Sequence, residues 1–322
     1  MTKRRITIRK RGVRPRKWTK GGGHTTQRNR VGLPTHCAPM VRGKTIAPTT
    51  CLTPDILQQL KTSFNENNPS HPIHDTDPAK IWQALNEKLT SCSAPIQDTC
   101  LLQTLHNDAM RQKIQDAIFV PESPTSWLQN KNEWLSNNDI SRVLKQYETA
   151  YSTFRAFEPT PIDFDTRLSD GGCVTREMCQ FSVGEQLRNG KTKIGIVFNL
   201  DKHTGSGTHW VAMFIDLDNH FGFYFDSNGD AIPPEINQLK NRIMKECKEQ
   251  NIPLRFYSNR NMEHQKSNSE CGMYSLFFII TMLTGNQSVR EKIKLFKTKR
   301  ITDARMEQYR KIFFRPADHK KI

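Results

Sequence analysis

Residues 265–272 read Gln265-Lys266-Ser267-Asn268-Ser269-Glu270-Cys271-Gly272, and the apolar run Met273–Leu283 follows them directly. This run is too short to span a bilayer and is typical of a helix buried in a core. Cys271 therefore lies at the start of a predicted buried helix, where the helix dipole favours a thiolate. Gly272 would leave room for a substrate backbone beside the sulfur. The alternative is a structural cysteine, since cysteine is among the most buried residue types.

A histidine and an aspartate are predicted to meet at one edge of a hairpin. His209 precedes the apolar run Trp210–Leu217, which is typical of a central strand, and the aromatic run Phe221–Phe225 ends at Asp226. Antiparallel pairing of the two runs would place the start of the first beside the end of the second. His209 could then act as a base that Asp226 orients. The alternative for Asp226 is a turn residue, since Asp-Ser-Asn-Gly is a good turn sequence.

The base and its orienting residue each have competitors. His203 and His264 could replace His209, which is favoured because an adjacent tryptophan and strand fix its position. Asn228 could replace Asp226 as the orienting residue, through its side-chain amide.

Two more residues complete the candidate site. Gln265 lies six positions before Cys271, and its amide could donate to an oxyanion beside the Cys271 backbone N–H. Trp210 could form a wall or lid of a narrow substrate channel, or it could be an ordinary core tryptophan. A nucleophile, a base, an orienting carboxylate and an oxyanion donor together predict thiol-dependent hydrolysis, with no metal or organic cofactor.

The net charge of +16 is concentrated at the two ends of the chain. The first 54 residues contain fourteen Lys and Arg and no Asp or Glu, and the segment 290–321 has eight excess positive charges, so the remainder is net acidic. Residues 1–46 also have few large apolar side chains, which predicts disorder. Such an arm predicts a polyanion partner such as nucleic acid. A nuclear-import or solubilising tail is the alternative.

The chain divides by composition into a disordered basic arm (1–46), a small helical module (47–120) and a larger domain (121–322), with a linker at Pro121–Pro124. The last domain mixes strand and helix patterns, which predicts an α+β fold. Ile232–Gln250 has a helical pattern, and a further predicted helix runs from about residue 134 through residue 154.

The eight cysteines show no paired spacing, and even the nearest pair, Cys173 and Cys179, is not spaced as a zinc site. Reduced thiols are therefore expected. No signal peptide and no membrane-spanning segment are evident.

Several of these features resemble the SUMO-protease and adenovirus-protease group of cysteine peptidases. The matching signatures are the pair His209-Trp210, Asp226-Ser227, and Gln265 with Cys271-Gly272; Trp134-Leu135 with Asp139-Ile140 is similar to the group's Trp-Leu-x-Asp helix start, with an insertion before the aspartate. The resemblance covers about residues 125–285. It implies a papain-like or adenain-like cysteine protease domain with a mixed sheet and a central nucleophile helix. It also implies substrate-binding roles for Trp134, Asp139, Trp210 and Gly272.

Within this group, Phe198-Asn199-Leu200-Asp201 and the segment from Gly207 to Ala212 look most like the processing proteases of large DNA viruses. That resemblance implies a cysteine endopeptidase that cleaves viral precursor or structural proteins after small residues, at Gly-Gly or Ala-Gly sites, during particle maturation. The expected partners are protein substrates and, through the basic arm, nucleic acid, with no membrane. The expected location is the virion or the infected-cell cytoplasm, or alternatively the nucleus, and not the secreted space.

Two other functions stay open. One is a protease that removes SUMO or a ubiquitin-like modifier. The other is a nucleic-acid-binding structural protein with an inert protease domain, for which the fourteen-cation arm is the supporting feature.

Overall fold

An apolar helix packed on a mixed six-stranded sheet forms the centre of the molecule. The computed structural model describes residues 36–89 and 97–316. The α-helices are α1 (Pro54–Asn67), α2 (Pro78–Lys88), α3 (Gln97–Leu101), α4 (Asp108–Ile118), α5 (Asn137–Ala150), α6 (Arg176–Cys179), α7 (Val183–Arg188), α8 (Pro234–Glu249), α9 (Cys271–Thr284), α10 (Val289–Thr298) and α11 (Asp303–Phe313). The strands are β1 (Phe154–Ala156), β2 (Thr160–Pro161), β3 (Lys193–Asn199), β4 (Trp210–Asp216), β5 (Phe221–Phe225) and β6 (Arg255–Ser258).

The strands lie in the order β1-β3-β4-β5-β6, and β2 also pairs with β3. Strand β4 pairs antiparallel with both β3 and β5. Strands β1 and β2 pair in parallel with β3, and β6 pairs in parallel with β5. The predicted α+β class with a mixed sheet is confirmed. The predicted hairpin is also confirmed, since β4 pairs with β5 from Ala212 opposite Phe225 to Asp216 opposite Phe221.

Strand β4 lies between two hydrophobic cores. Every residue of this strand is buried, because both faces of the sheet are covered. Its alternate side chains enter different clusters: Phe214 packs on the face that carries α5 and α9, and Met213 and Ile215 pack on the face that carries α8.

Helix α9 lies against β4 with every residue buried except Thr281 and Thr284. A helix that is apolar all round is stable only inside such a core. Gly195 of β3 allows close packing here, because a Cβ atom at this position would lie 3.0 Å from a side-chain carbon of Ile279. The predicted central helix is thus confirmed. Within the described ranges, no helix combines the length and the apolarity needed to cross a bilayer.

The helical pattern before residue 120 forms a third core, made largely of Leu and Ile side chains from α1, α2 and the segment 101–105. Residues 36–46, which composition assigns to the basic arm, belong to this packed region. Cys37 is bonded to Cys51, Val41 is buried, and the Ala38 N–H donates to the Ile118 carbonyl. The apolar contacts of these few residues stabilise a packed structure, although the segment is positively charged. Residues 1–35 of the predicted arm lie outside the described residues, and the three-part division stays a prediction.

The expectation of reduced thiols is wrong for five cysteines. Disulfides join Cys37 to Cys51 and Cys173 to Cys179, whose Cα atoms lie 5.1 Å and 6.3 Å apart. Cys100 is disulfide-bonded as well. The fold brings such pairs together, and no spacing pattern in the sequence reveals this.

Two predicted boundaries also differ. The linker Pro121–Pro124 is paired with the end of the described chain, because the Ser123 N–H donates to the Arg315 carbonyl and the Arg315 N–H donates to the Pro121 carbonyl. The helix predicted through residue 154 ends at Ala150, and Phe154 begins strand β1 on β3.

Candidate active site

The hairpin of β4 and β5 brings His209 and Asp226 into contact. Nε2 of His209 lies 2.7 Å from Oδ1 of Asp226. His209 precedes β4 and Asp226 follows β5, so the antiparallel pairing of the two strands brings both residues to the same end of the hairpin. The imidazole is 15% exposed and the carboxylate 1% exposed, which makes this a partly desolvated charged pair.

The backbone of Asp226 is held by hydrogen bonds to the side chain of Asn259. Asn259 accepts from the Asp226 N–H and donates to the Asp226 carbonyl. The Asn228 backbone N–H donates to Oδ1 of Asp226, and the Asn228 side chain is exposed. Asn228 therefore supports the aspartate from its backbone, and its side chain does not take the aspartate's place against His209. Asp226 is the residue that contacts the imidazole.

Cys271 interacts with the same imidazole. Nε2 of His209 bonds Asp226, which leaves Nδ1 as the nitrogen available to the thiol. Burial alone would lower the pKa of His209, but hydrogen bonds to Asp226 and Cys271, together with their negative charges, outweigh burial and raise the pKa to about 10. The imidazole is therefore charged at neutral pH, and a charged imidazolium stabilises a neighbouring thiolate.

Cys271 is the first residue of α9, as the sequence predicts. Its side chain is almost fully enclosed, at 2% exposure. Gly272 allows the chain to pack tightly at this point, because a Cβ atom there would lie 3.0 Å from the Cβ atom of Leu135. The free backbone N–H groups at the start of α9 add positive potential next to the sulfur.

Gln265 is held in the loop that leads to Cys271. Its Oε1 accepts from the Ser227 hydroxyl, and its Nε2 donates to the Ser267 carbonyl at 2.7 Å. Among the described residues, the second Nε2 hydrogen has no hydrogen-bond acceptor. The Ser227 carbonyl also accepts from the Gln265 backbone N–H, so the end of β5 and this loop form one unit.

The two competing histidines have other partners. His203 is bonded to Asp163 at 2.7 Å, and both lie in surface loops. His264 is fully buried: its Nδ1 accepts from the Ile301 N–H and its Nε2 donates to the Phe296 carbonyl. Both ring nitrogens of His264 are therefore used to hold the loop before Gln265. In the described part of the chain, no group of three or more His, Cys, Asp or Glu side chains could hold a metal ion.

The residues that the resemblance implies for substrate binding take different positions. Trp134 is 41% exposed and lines a cleft of about 450 Å³ together with the loop 267–269. Trp210 is buried, and its Nε1 donates to the Leu135 carbonyl. It therefore holds in place the residue that follows Trp134. Asp139 is buried and accepts from the backbone N–H and hydroxyl of Ser136, as part of a capping box of α5.

Several residues around the site carry no recognisable signal in the sequence. They are polar residues in loops or on α11, and each is buried: Asn259, Glu270 and Arg310. Their partners lie far along the chain, so only the folded structure reveals them.

Comparison with known proteins agrees with this geometry. Residues 190–319 match the Ulp1 protease family, C-terminal catalytic domain. A SUMO-1 cysteine protease of African swine fever virus is 30% identical over 196 residues, which cover 58% of this chain and 70% of that protein. A protein of Acanthamoeba polyphaga mimivirus, assigned by name to the thiol proteases, is 31% identical over 176 residues. The match spans 55% of the length of the mimivirus protein.

The crystal structure of the African swine fever virus protease has the same fold. It superposes with a TM-score of 0.60 and 23% identity, over 88% of this chain and 97% of that one.

Proposed function

The chain belongs to the Ulp1 family of cysteine proteases, and on this basis we propose that Cys271, His209, Asp226 and Gln265 hydrolyse peptide bonds through an acyl-enzyme. The contact between His209 and Asp226, at 2.7 Å, is the observation that carries the proposal. It fixes which nitrogen of the imidazole faces the thiol and keeps the imidazole charged. Family membership makes the enzyme a cysteine-type peptidase, and the geometry supports the assignment of the roles.

The reaction follows from the positions of these groups. The Cys271 thiolate attacks the scissile carbonyl carbon, and the carbonyl electron pair moves onto the oxygen. The Cys271 backbone N–H and the free Nε2 hydrogen of Gln265 stabilise that oxyanion. The His209 imidazolium gives its proton to the leaving amine as the C–N bond breaks, which leaves a thioester. His209 then takes a proton from water, whose oxygen attacks the thioester and releases the acid and the thiolate.

The enclosure of the nucleophile supports substrates with small residues before the scissile bond. Cys271 is 2% exposed and Leu135 lies against Gly272. An extended chain can approach such a thiol only where its side chains are small, which fits Gly-Gly or Ala-Gly sites. Both relatives come from viruses, which supports a role in cleaving viral precursor or structural proteins during particle maturation, in the virion or the infected-cell cytoplasm.

A protease that removes a SUMO-like modifier is the second candidate. The name SUMO-1 cysteine protease, given to the African swine fever virus relative, favours it. The third candidate, a nucleic-acid-binding protein with an inert protease domain, has less support because the catalytic groups are assembled.

Binding of nucleic acid by the basic arm 1–46 is compatible with all three candidates and is proposed here as an accessory property.

A comparison of substrates tests the proposal. Wild-type protein and the Cys271→Ala variant are incubated with Gly-Gly-X peptides, with a SUMO fusion and with a mixture of viral structural proteins, and new termini are read by mass spectrometry. Cleavage of peptides and structural proteins by the wild type alone supports the processing role. Cleavage restricted to the fusion favours modifier removal. Equal products from both proteins exclude Cys271 as the nucleophile.

A matched control is available at Cys247, the other free thiol of the described residues. Burial raises the pKa of Cys247 to about 11, with a further contribution from Glu246, so it is a poor nucleophile. The Cys247→Ser variant should therefore keep full activity.

A further inference from the structure

One buried arginine reaches both segments that border the nucleophile. Arg310 of α11 is 5% exposed, and its Nε lies 3.0 Å and 3.2 Å from the two carboxylate oxygens of Glu270. Its Nη2 donates to the Glu133 carbonyl at 2.8 Å and to the Ser269 carbonyl at 3.5 Å. The ring of Trp127 covers the guanidinium at 4.4 Å and restricts its plane. A single side chain thus ties together two segments that lie far apart in the sequence.

These two segments line one cleft, and its wall in the loop 267–269 ends two residues before Cys271. Ser269 and Glu270 immediately precede the nucleophile, and Glu133 immediately precedes the exposed Trp134. The two walls line the same cleft of about 450 Å³, which runs between residues 130–134 and the loop 267–269. The position of Arg310 therefore sets the spacing of the cleft as well as the start of α9.

Arg310 also compensates the negative charge of Glu270, which immediately precedes the nucleophile. Glu270 is 1% exposed, so its carboxylate has little help from water. Burial raises the pKa of Glu270, and the hydrogen bonds and charge of Arg310 oppose that rise, while Glu307 on the same helix as Arg310 adds to it. Without Arg310, a buried and unpaired carboxylate would lie one residue before the thiolate, which it would repel. His209, which hydrogen-bonds Cys271, is a further charged group at the thiol.

We propose that Arg310 is a positioning residue for the nucleophile: it neutralises Glu270 and holds the Glu133 and Ser269 carbonyls, so that the start of α9 and the Trp134 wall keep one arrangement. This inference rests on the proposed role of Cys271 as the nucleophile. Arginine is required because its planar fork serves several acceptors at once, whereas lysine supplies only a point charge.

The test measures alkylation of Cys271 by iodoacetamide as a function of pH, together with KM and kcat on a Gly-Gly-X peptide. In Arg310→Met, the midpoint of the alkylation profile should move to higher pH, since an unpaired anion opposes the thiolate. In the double variant Glu270→Gln/Arg310→Met, both charges are gone, so the midpoint should return to the wild-type value. KM should stay raised in the double variant, because the Glu133 and Ser269 carbonyls have lost their donor.

Two further variants sharpen the result. Arg310→Lys should keep the wild-type midpoint and raise KM. Arg305→Met is the matched control, because Arg305 is an exposed residue of α11 whose guanidinium lies over Phe277 and Tyr309, and it should change neither quantity. If Arg310→Met does not fold, the double variant and Arg310→Lys still decide the question.

An unchanged midpoint and an unchanged kcat/KM in folded Arg310→Met would overturn the inference. A shifted midpoint that persists in the double variant would overturn it too, since the effect would then not pass through Glu270. Alkylation of Cys271 needs no turnover, so the experiment can contradict the role of Arg310 without contradicting the proposed function. If wild-type Cys271 reacts no faster than an ordinary thiol, the proposed function fails whatever the Arg310 variants do.

Discussion

His209 and Asp226 are 17 positions apart in the sequence and 2.7 Å apart in space. The antiparallel pairing of β4 and β5 brings the two residues to one end of the hairpin, and both strands are buried over their whole length. The geometry of the candidate base is therefore tied to the core of the sheet. A change that weakens the core is expected to loosen the active site as well.

The contact with Asp226 should set the alkaline limit of activity. His209 has a pKa raised to about 10, with Asp226 among the causes, so kcat/KM should stay high through neutral pH and fall as the pH approaches 10. Asp226→Asn removes a charge that raises this pKa, and burial, which lowers it, remains. The alkaline limb should move to lower pH, and kcat/KM at pH 7 should fall by no more than about 10²-fold.

The measurement is kcat/KM for a fluorogenic peptide between pH 5 and pH 11. Asn228→Ala is the control, since its backbone N–H to Asp226 is kept. An alkaline limb that moves in Asn228→Ala and not in Asp226→Asn would reverse the assignment of the orienting residue.

Gln265→Ala should lower kcat by roughly 10²–10³ with little change in KM, the usual size for the loss of one oxyanion donor. Single-turnover kinetics on the same peptide separates acylation from product release. Ser227→Ala is a useful comparison, because it removes only the hydroxyl that donates to Oε1 of Gln265. We expect a smaller loss of kcat there. If Gln265→Ala instead changes KM alone, the amide binds the substrate and does not stabilise the oxyanion.

The parts of this site that the sequence predicts are those with a local pattern. The apolar run after Cys271 and the two strand runs before Asp226 have the periodicity of buried elements, so the nucleophile helix and the hairpin follow from them. The role of Gln265 is predicted from its spacing to Cys271, whereas the role of Trp134 depends on resemblance to a family.

Contacts between distant segments have no such pattern. Asn259 clamps Asp226 across 33 positions and Arg310 reaches Glu270 across 40, and each is a single polar residue. The bond between Cys37 and Cys51 belongs to the same class, because only the packing of residues 36–46 brings the two sulfurs together.

His264 should make stability depend on pH. Burial is the main cause that lowers its pKa below the usual value of 6.5, and the nearby Arg300 lowers it further. Because the folded state favours the neutral ring, the stabilisation from His264 is present above pH 6.5 and is lost as the pH falls through the lowered pKa. Protonation would also place an N–H at Nδ1 against the Ile301 N–H.

The check is the free energy of unfolding in urea between pH 8 and pH 5. His264→Gln should be less stable than the wild type at pH 8 by about 1–3 kcal/mol, the cost of losing buried hydrogen bonds. It should lose less stability than the wild type between pH 6.5 and pH 5. Parallel curves for the two proteins would show that His264 does not contribute to the acid sensitivity. His203→Gln is the surface control, and it should follow the wild-type curve.

The basic arm gives a prediction about partners. Residues 1–35 hold twelve of the fourteen cations in the first 54 residues, and residues 36–46 are packed in the helical region. A deletion that starts the chain at His36 therefore removes most of the charge and keeps the Cys37–Cys51 bond. The full chain should bind DNA or RNA without sequence preference, through phosphate contacts, and binding should weaken with salt at a log–log slope of several units.

The shortened chain should lose most of this binding and keep its kcat/KM on a small peptide, because His209, Asp226 and Cys271 lie far along the sequence from the deleted residues. It should cleave substrates bound to nucleic acid more slowly, since the local concentration gained by sharing the polyanion is lost. A salt titration of DNA binding compares the two proteins. Equal affinity and equal slope would exclude the arm as the polyanion site. The exposed cations of α10, Arg290, Lys294 and Lys297, would then be the next residues to change.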